Sequence, residues 1–333
     1  MVSSAAGAVA RWIVPFFTVA AVVLTAAVAG PTQAGENRLV LLADEGNPLA
    51  GLPLYVNPNS AAMRAANADP SSPELAYIAN TPQAYWMDSL STPSVDAKYI
   101  SAAQAAGTIP LLALYGIPHR DCGNFAAGGF GSGDAYRGWI NGVAAAIGSG
   151  PAAIILEPDA LAMADCLSGS ARQERFDLIS YAVDTLTANP GTAVYVDGGH
   201  SRWVAADEMA NRLNQVGVGK TRGFSLNTAN FFSTGEEIGY GEAISAQTNG
   251  AHYVIDTSRN GAGPVEGDSM YWCNPPGRAL GVRPTTDTGN GHIDAFLWVK
   301  RPGESDGSCG RGEPGAGRFI NSYAVSLARN AGV

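Results

Sequence analysis

Short apolar runs recur along the chain and alternate with longer stretches of helical periodicity. Runs such as IPLLALY and AAIIL are apolar at nearly every position, which is typical of strands buried on both faces of a parallel sheet. On this pattern we predict strands at 52–56, 83–87, 109–115, 152–156, 193–196, 223–226, 253–255 and 293–299. Strands that alternate with helices in this way indicate an α/β fold, with a parallel sheet that is either closed as a barrel or doubly wound.

The clearest helix is predicted at 171–187, where apolar residues recur on one face. Ser170 and Gln173 have the spacing of a capping box and are expected to begin this helix. Beyond residue 40, no repeat, low-complexity tract or linker interrupts the chain. We therefore expect one domain, which extends over residues 35–333.

Polar side chains follow nearly every predicted strand at its carboxyl end. They are Asp88, His119, Arg120, Asp121, Glu157, Asp159, Asp197, Asn227, Asp256, Lys300, Glu304 and Asp306. Barrel enzymes assemble their active sites at this edge of the sheet. If the strands simply ran out into solvent, a mixture of Lys, Ser and Thr would be expected instead. The predominance of carboxylates therefore favours a site.

A group of carboxylates can hold divalent metals or carry out acid–base chemistry on an uncharged substrate. The net charge of −9 with scattered Lys and Arg argues against nucleic acid and anionic membranes as partners. Because no His or Cys spacing typical of metal sites occurs, we expect no metal and no cofactor.

Glycoside hydrolysis needs two carboxyl groups, and neighbouring carboxylates raise one another's pKa. Five aromatic residues near the strand ends are candidates for sugar stacking or for core packing: Trp86, Tyr115, Trp203, Trp272 and Trp298.

Two other stretches invite comparison with known site motifs. Residues 303–307 match the GxSxG nucleophile elbow of serine esterases, but no histidine follows His292 to complete a triad. The esterase reading is therefore a weaker alternative. The glycines at 261, 263 and 267 have the wrong spacing for a dinucleotide-binding loop.

The N-terminus has the pattern of a secretory signal over residues 1–34. Arg11 is the only charge among the first 35 residues and precedes an apolar run at 12–29, with small residues for cleavage at 27–29 or 32–34. An uncleaved anchor helix is the alternative, although Pro15 and the polar stretch after the run favour cleavage. We expect a secreted protein. In an oxidising compartment, four cysteines predict two disulfides, for which three pairings are possible.

Seven motifs together resemble glycoside hydrolase family 6, the inverting cellulases. They are LYVNPNS, YGIPHRDCGN, IILEPDALA, VYVDGGHSRW, VIDTSRNGAGP, WCNPPGRALG and DAFLWVKRPGESDG, and they occur in the family's order over about residues 48–330. The resemblance implies a distorted, partly open (β/α) TIM-like barrel. It also implies that the pairs Cys122–Cys166 and Cys273–Cys309 form the disulfides.

The resemblance further implies the roles of individual side chains. Asp159 looks like the general acid, Asp121 like the residue that tunes the pKa of this acid and relays a proton, and Asp306 like the proposed base. Asp197 resembles a supporting carboxylate, and Tyr115 a residue that distorts the reacting sugar ring. Positions that bind or stack sugar units are matched by Trp86, His200, Trp203, Asn227, Trp272, Lys300 and Glu304. Within the motif, Glu157 is the nearest rival to Asp159 as the acid, because Pro158 between them allows both to point to one side.

Two stretches depart from the family pattern. At 125–127 the chain has Phe-Ala-Ala where many bacterial members carry serines, one of which positions the attacking water, and at 64–65 it has Arg-Ala where related cellulases carry a tryptophan. The first departure suggests slower turnover and keeps open a glycan-binding protein with weak catalysis as an alternative. Only about twenty residues join Cys273 to Asp294, and no cellulose-binding module is recognised. We therefore expect an open cleft and a monomeric endo-β-1,4-glucanase that acts on soluble or amorphous glucan.

Overall fold

The computed structural model describes residues 1–3, 7 and 46–333. The predicted signal at 1–34, with Arg11 and both candidate cleavage sites, lies outside these residues except for 1–3 and 7. Among the helices of the described part, none is both long and apolar enough to cross a membrane.

A seven-stranded parallel sheet organises residues 46–333, and its strands are neighbours in the order of the sequence. The strands are β1 Tyr85–Met87, β2 Leu111–Leu114, β3 Ala152–Leu156, β4 Thr192–Asp197, β5 Gly223–Leu226, β6 His252–Asp256 and β7 Ile293–Leu297. The sheet curls until its two edges approach each other, and the Ala84 N–H donates to the Trp298 carbonyl at 3.0 Å. The predicted partly open α/β barrel is thus confirmed, as a curled half-barrel.

The eighth predicted strand, at 52–56, does not form. Leu54 makes one isolated bridge to Ile109, and Pro53 beside it has no N–H to extend the pairing. Proline shortens β2 for the same reason: Pro110 interrupts the predicted run at 109–115, and the strand begins at Leu111.

Helices connect the strands and cover the outer face of the sheet. They are α1 Ala61–Ala68, α2 Pro73–Ala79, α3 Pro93–Ala105, α4 Gly133–Ile147, α5 Gly169–Thr187, α6 Ala206–Gln215, α7 Thr234–Ser245 and α8 Asn321–Asn330. Single 3₁₀ turns occur at Asp121–Gly123, Ala164–Cys166 and Val218–Lys220. The helix predicted at 171–187 is α5, but the predicted capping box is wrong. Its N-cap is Ser168, which makes no side-chain cap bond, so Ser170 lies inside the first turn.

Both faces of the sheet are buried, which explains the apolar runs. Alternate strand residues point to opposite faces: Leu112, Ile154 and Val194 pack against the helices, whereas Ile155 and Tyr195 fill the inside of the curl. The interior of the half-barrel is thus a packed core. Chemistry is confined to the loops at the carboxyl edge of the strands.

Candidate active site

Several loop residues at the carboxyl edge have a left-handed backbone that residues other than glycine rarely adopt. The φ angles are 57° at Asp121, 52° at Glu157, 69° at Asp159 and 63° at Asn227. Such conformations cost about 1 kcal/mol or more each and persist only where surrounding contacts enforce them. Their concentration after β2, β3 and β5 marks this edge as the candidate site.

Asp159 and Asp197 are neighbours across the ends of β3 and β4. The Asp197 carboxylate is buried and accepts hydrogen bonds from the N–H groups of Asp159 and Gly199, both at 3.0 Å. It also accepts one from the Ser225 hydroxyl at 3.0 Å. Burial raises the pKa of Asp197 to about 6, and these three donors oppose the shift. Asp197 therefore holds the turn at Asp159 in place and ionises before Asp159 does.

Asp159 is the carboxyl group that keeps a proton. Burial raises its pKa well above the ordinary value, and the negative charges of Asp197 and Asp121 raise it further. Lys300 and a hydrogen bond with Tyr115 oppose the shift but do not outweigh it. A neutral carboxylic acid beside ionised carboxylates is the arrangement needed to protonate a leaving group.

Asp121 lies on the loop after β2, and Tyr115 lies at the base of the same loop. Asp121 accepts a hydrogen bond from the Ala126 N–H at 2.7 Å, and burial raises the pKa of its carboxyl. The Ala126 N–H therefore fixes the Asp121 carboxylate. Ala126 belongs to the stretch at 125–127, where many bacterial members of the family carry serines. Arg120 makes two contacts with Tyr115. Its guanidinium stacks over the Tyr115 ring at 4.6 Å and donates to the Tyr115 carbonyl at 2.7 Å.

Asp306 is paired with two cations at the end of the β7 loop. Arg259 donates to its Oδ2 at 2.7 Å, and the Lys300 ammonium lies 2.9 Å from its Oδ1. The Asn274 N–H also donates to Oδ2, at 3.0 Å. These charges outweigh burial and lower the pKa of Asp306, so the carboxylate is ionised. Among the described residues, no group of three His, Cys, Asp or Glu side chains is placed to hold a metal ion.

Two strand-end carboxylates turn away from the cleft. Glu157 accepts the N–H groups of Gly116 and Ile117, all at 3.1 Å. Asp256 accepts four N–H groups and thereby ties the ends of β5, β6 and β7 together. Because its oxygens face the backbone of a neighbouring loop, Glu157 is not placed as the rival acid.

We expect Glu157→Gln to make the stability of the protein less dependent on pH. Burial raises the pKa of Glu157 from 4.5 to about 7. An acid whose folded pKa is raised contributes stability below its unfolded pKa, and this contribution is lost as pH rises through the folded pKa. For this group the loss is about 3 kcal/mol between pH 4.5 and 7, and Gln abolishes it.

Urea unfolding at a series of pH values measures this effect. The control is Glu174→Gln on the exposed side of α5, for which we expect an unchanged profile. A Glu157→Gln profile as steep as that of the wild type would contradict the assignment.

Aromatic rings lie along the same edge of the sheet. Trp86 packs edge-on against Tyr115 with centroids 5.4 Å apart, and Trp203 is 39% exposed. Trp272 is partly exposed and lies 5.9 Å from Phe125. These rings offer flat apolar surfaces of the kind that sugar faces bind. Trp298 does not, because it is fully buried and donates to the Val282 carbonyl.

The remaining predicted sugar-binding residues differ in how free their polar groups are. The Asn227 amide is fully buried and bonds to the backbone of Phe232 and Asp256, so it shapes the site rather than presenting free groups to a sugar. Glu304 is buried against Arg301 at 2.7 Å. His200 is buried and stacked on Phe232, and burial lowers the pKa of its imidazole to about 3. The imidazole is therefore neutral.

Both disulfides lie in the loops that carry the carboxylates. Cys122 is bonded to Cys166 and Cys273 to Cys309, the pairs that the family resemblance implies. The first bond joins the loops after β2 and β3. Arg259, the buried partner of Asp306, is a site residue that was not predicted from the sequence. Its position within the family motif VIDTSRNGAGP was the available signal.

A curled parallel sheet with a carboxyl of raised pKa beside other carboxylates, and with aromatic rings along the same edge, is the arrangement that glycoside hydrolysis needs. Within the class of glycoside hydrolases, the model of the glycosyl hydrolases family 6 matches residues 49–331. The chain belongs to this family, as its motifs predict.

Individual relatives agree with this assignment. Endoglucanase A of Cellulomonas fimi is 44% identical over 83% of this chain, and Endoglucanase A of Thermobispora bispora is 39% identical over 94%. The chain spans 61% and 66% of the lengths of these two relatives. Among solved structures, the endoglucanase Cel6 from Mycobacterium tuberculosis, in complex with methyl-cellobiosyl-4-deoxy-4-thio-β-D-cellobioside, matches with a TM-score of 0.85. It is 66% identical, with 86% of this chain and 100% of that chain covered.

Proposed function

We propose that this protein is a secreted endo-β-1,4-glucanase that hydrolyses cellulose or soluble β-glucan with inversion at the anomeric carbon. The observation that carries the proposal is the environment of Asp159, a carboxyl kept neutral beside the carboxylates of Asp197 and Asp121. A glycosidic oxygen is a poor leaving group unless it is protonated, and Asp159 supplies that proton.

On the opposite face of the sugar, a water molecule attacks the anomeric carbon and must lose a proton. Asp306 is ionised, as a base must be, but its two cations make it a weak proton acceptor. Asp121 has a raised pKa and is better matched to accept a proton near neutral pH. We therefore assign proton relay to Asp121, while Asp306 with Lys300 orients the water. Tyr115, packed beside Asp159, presses on the reacting ring.

An uncharged β-1,4-glucan fits the cleft on two grounds. The aromatic rings of Trp86, Trp203 and Trp272 supply stacking surfaces along the site, with the Lys300 ammonium as a polar group beside them. The related endoglucanase from Mycobacterium tuberculosis was solved with a thio-linked cello-oligosaccharide analogue, which supports a substrate of the same class here.

Action within the chain of the polymer requires a cleft that is not roofed over, and the segment before β7 supports this. The Leu280 N–H donates to Leu327 on α8, and Thr285 forms a bridge to Phe296 within β7. These contacts tie residues 280–285 to α8 and to β7, and the connection between Cys273 and Asp294 is short. We infer from this that the cleft is open.

The other reactions considered have less support. Ser305, the serine of the GxSxG match, is fully buried, and its hydroxyl lies within hydrogen-bond distance of the carbonyls of Gly307 and Pro314, to one of which it donates. It is not exposed on a strand-to-helix turn, as a nucleophile elbow requires. A glycan-binding protein without efficient catalysis is the remaining alternative, because the stretch at 125–127 has no hydroxyl.

Hydrolysis of cellohexaose and carboxymethylcellulose tests the proposal. We expect the α anomer as the first product by NMR, since inversion of a β bond yields it. For carboxymethylcellulose, viscosity is expected to fall well before many reducing ends appear. First formation of the β anomer would exclude inversion. Binding without hydrolysis above an Asp159→Asn control would favour the glycan-binding alternative.

Export and a monomeric state complete the proposal. The two disulfides are consistent with an oxidising compartment. Detection of the protein in culture medium and size-exclusion chromatography of the mature chain test these two points.

A further inference from the structure

Arg175 is a buried arginine on α5 that lies beneath two loops of the candidate site. Only 2% of its surface is exposed. Its guanidinium donates to the carbonyl of His119 at 2.7 Å and to the carbonyls of Ala160 and Met163 at 3.3 and 3.4 Å. The adjacent Phe176 is part of the main core, so the helix provides a fixed base for this side chain.

The three carbonyl groups belong to the loops that carry Asp121 and Asp159. His119 precedes Asp121 by two residues, and Ala160 directly follows Asp159. Met163 is coupled to the same turn, because its N–H donates to the Asp159 carbonyl at 2.8 Å. One guanidinium thus joins the backbone beside both carboxyl groups.

Arg175 has no carboxylate within ion-pair distance among the residues that the structure describes. A buried charge costs several kcal/mol unless its donors are well used, and a neutral side chain would avoid this cost. Here both terminal nitrogens donate to backbone at or close to strained residues, since φ is 58° at His119, 57° at Asp121 and 69° at Asp159, whereas Nε has no hydrogen-bond partner. Contacts of this kind are what maintain strained backbone at a functional site.

We infer that Arg175 is a positioning residue that, together with the Cys122–Cys166 disulfide between the same two loops, sets the separation of Asp121 and Asp159 by clamping these loops to α5. The inference rests on the proposed function, in which Asp159 is the acid and Asp121 the relay.

Loosening this clamp has two consequences. Misplacement of the acid relative to the relay lowers kcat, because catalytic groups displaced by about 1 Å cost up to about 100-fold in rate. The groups that face Asp159 are Asp197, Asp121, Lys300 and Tyr115. If Asp121 moves away while the others stay, the acid loses its proton at a lower pH, and the alkaline limb of the pH–rate profile shifts downwards.

Arg175→Met in the full chain tests the clamp, since Met keeps the apolar volume and removes every donor. We expect kcat on cellohexaose to fall about 10- to 100-fold with little change in KM. We also expect the alkaline limb of kcat/KM to move down by about one pH unit. Arg175→Lys keeps the charge but replaces the two terminal nitrogens, of which one serves each loop, with a single ammonium. The Lys variant should show a smaller shift of the alkaline limb in the same direction, and it provides the test if the Met variant does not fold.

Arg278→Met is the matched control. Like Arg175, Arg278 donates to three backbone carbonyls. These are the consecutive carbonyls of Ala262, Gly263 and Pro264, and they lie in the loop after β6. It should lower the Tm without moving the alkaline limb. An unmoved limb in both Arg175 variants, with activity lost only in proportion to unfolded protein, would overturn the inference. A wild type without glucanase activity would instead overturn the proposed function.

Discussion

Asp159→Asn should lower kcat on cellohexaose by about 10³- to 10⁴-fold, the upper range for loss of a general acid. Asn is isosteric but has no proton to give to the glycosidic oxygen. As the proposed acid, Asp159 must be protonated to act, so we expect wild-type activity to be lost as pH rises through its raised pKa. The alkaline limb of the profile should therefore disappear in this variant.

A substrate with a good leaving group separates this effect from general damage. Dinitrophenolate departs without protonation, so Asp159→Asn should lose far less activity on 2,4-dinitrophenyl β-cellobioside than on cellohexaose. Glu157→Gln, two residues away, should lose little on either substrate, because Glu157 faces the amides of Gly116 and Ile117. Equal losses on both substrates in Asp159→Asn would contradict its role as the acid.

The second large effect is expected from Arg259, which is completely buried against Asp306. Arg259→Met should lower the free energy of unfolding by about 3–5 kcal/mol, because it leaves a buried carboxylate with one cation instead of two. Asp306→Asn should cost a similar amount, since Arg259 and Lys300 then lack their partner. The double variant should cost clearly less than the sum, because neither Arg259 nor Asp306 is then left without the other, although Lys300 still lacks its partner.

Urea unfolding of the three variants measures this coupling. Lys220→Met is the matched control, because its ion pair with Asp184 is more than half exposed on both sides and should cost less than about 1 kcal/mol. The lowered pKa of Asp306 contributes stability above its ordinary value of 3.8 that is lost as pH falls below it. In Arg259→Met the pKa of Asp306 rises toward its ordinary value, so this loss of stability at acid pH should become smaller. Strictly additive costs in the double variant would show that the two residues do not act as a pair.

Local pattern was enough to predict most of the fold. Seven of the eight predicted strands form, because burial on both faces demands the apolar runs that mark them. Their boundaries were predicted less well, since Pro53 and Pro110 end pairing for reasons of backbone chemistry that hydrophobicity does not report. The position of the site followed from the same pattern, because parallel strands bring all their carboxyl ends to one edge.

The sequence by itself determined which side chains are available at that edge, and its motifs determined the family. Only the tertiary structure decided what each carboxylate does. Glu157 and Asp159 are two residues apart and follow the same strand, yet one is bound to backbone amides some 40 residues away and the other lies beside Asp197 and Asp121. Likewise, Arg259 lies 47 residues from the Asp306 that it keeps ionised. The protonation state of a carboxyl depends on its burial and on the charges around it, and the folded chain creates these from segments that are distant in sequence.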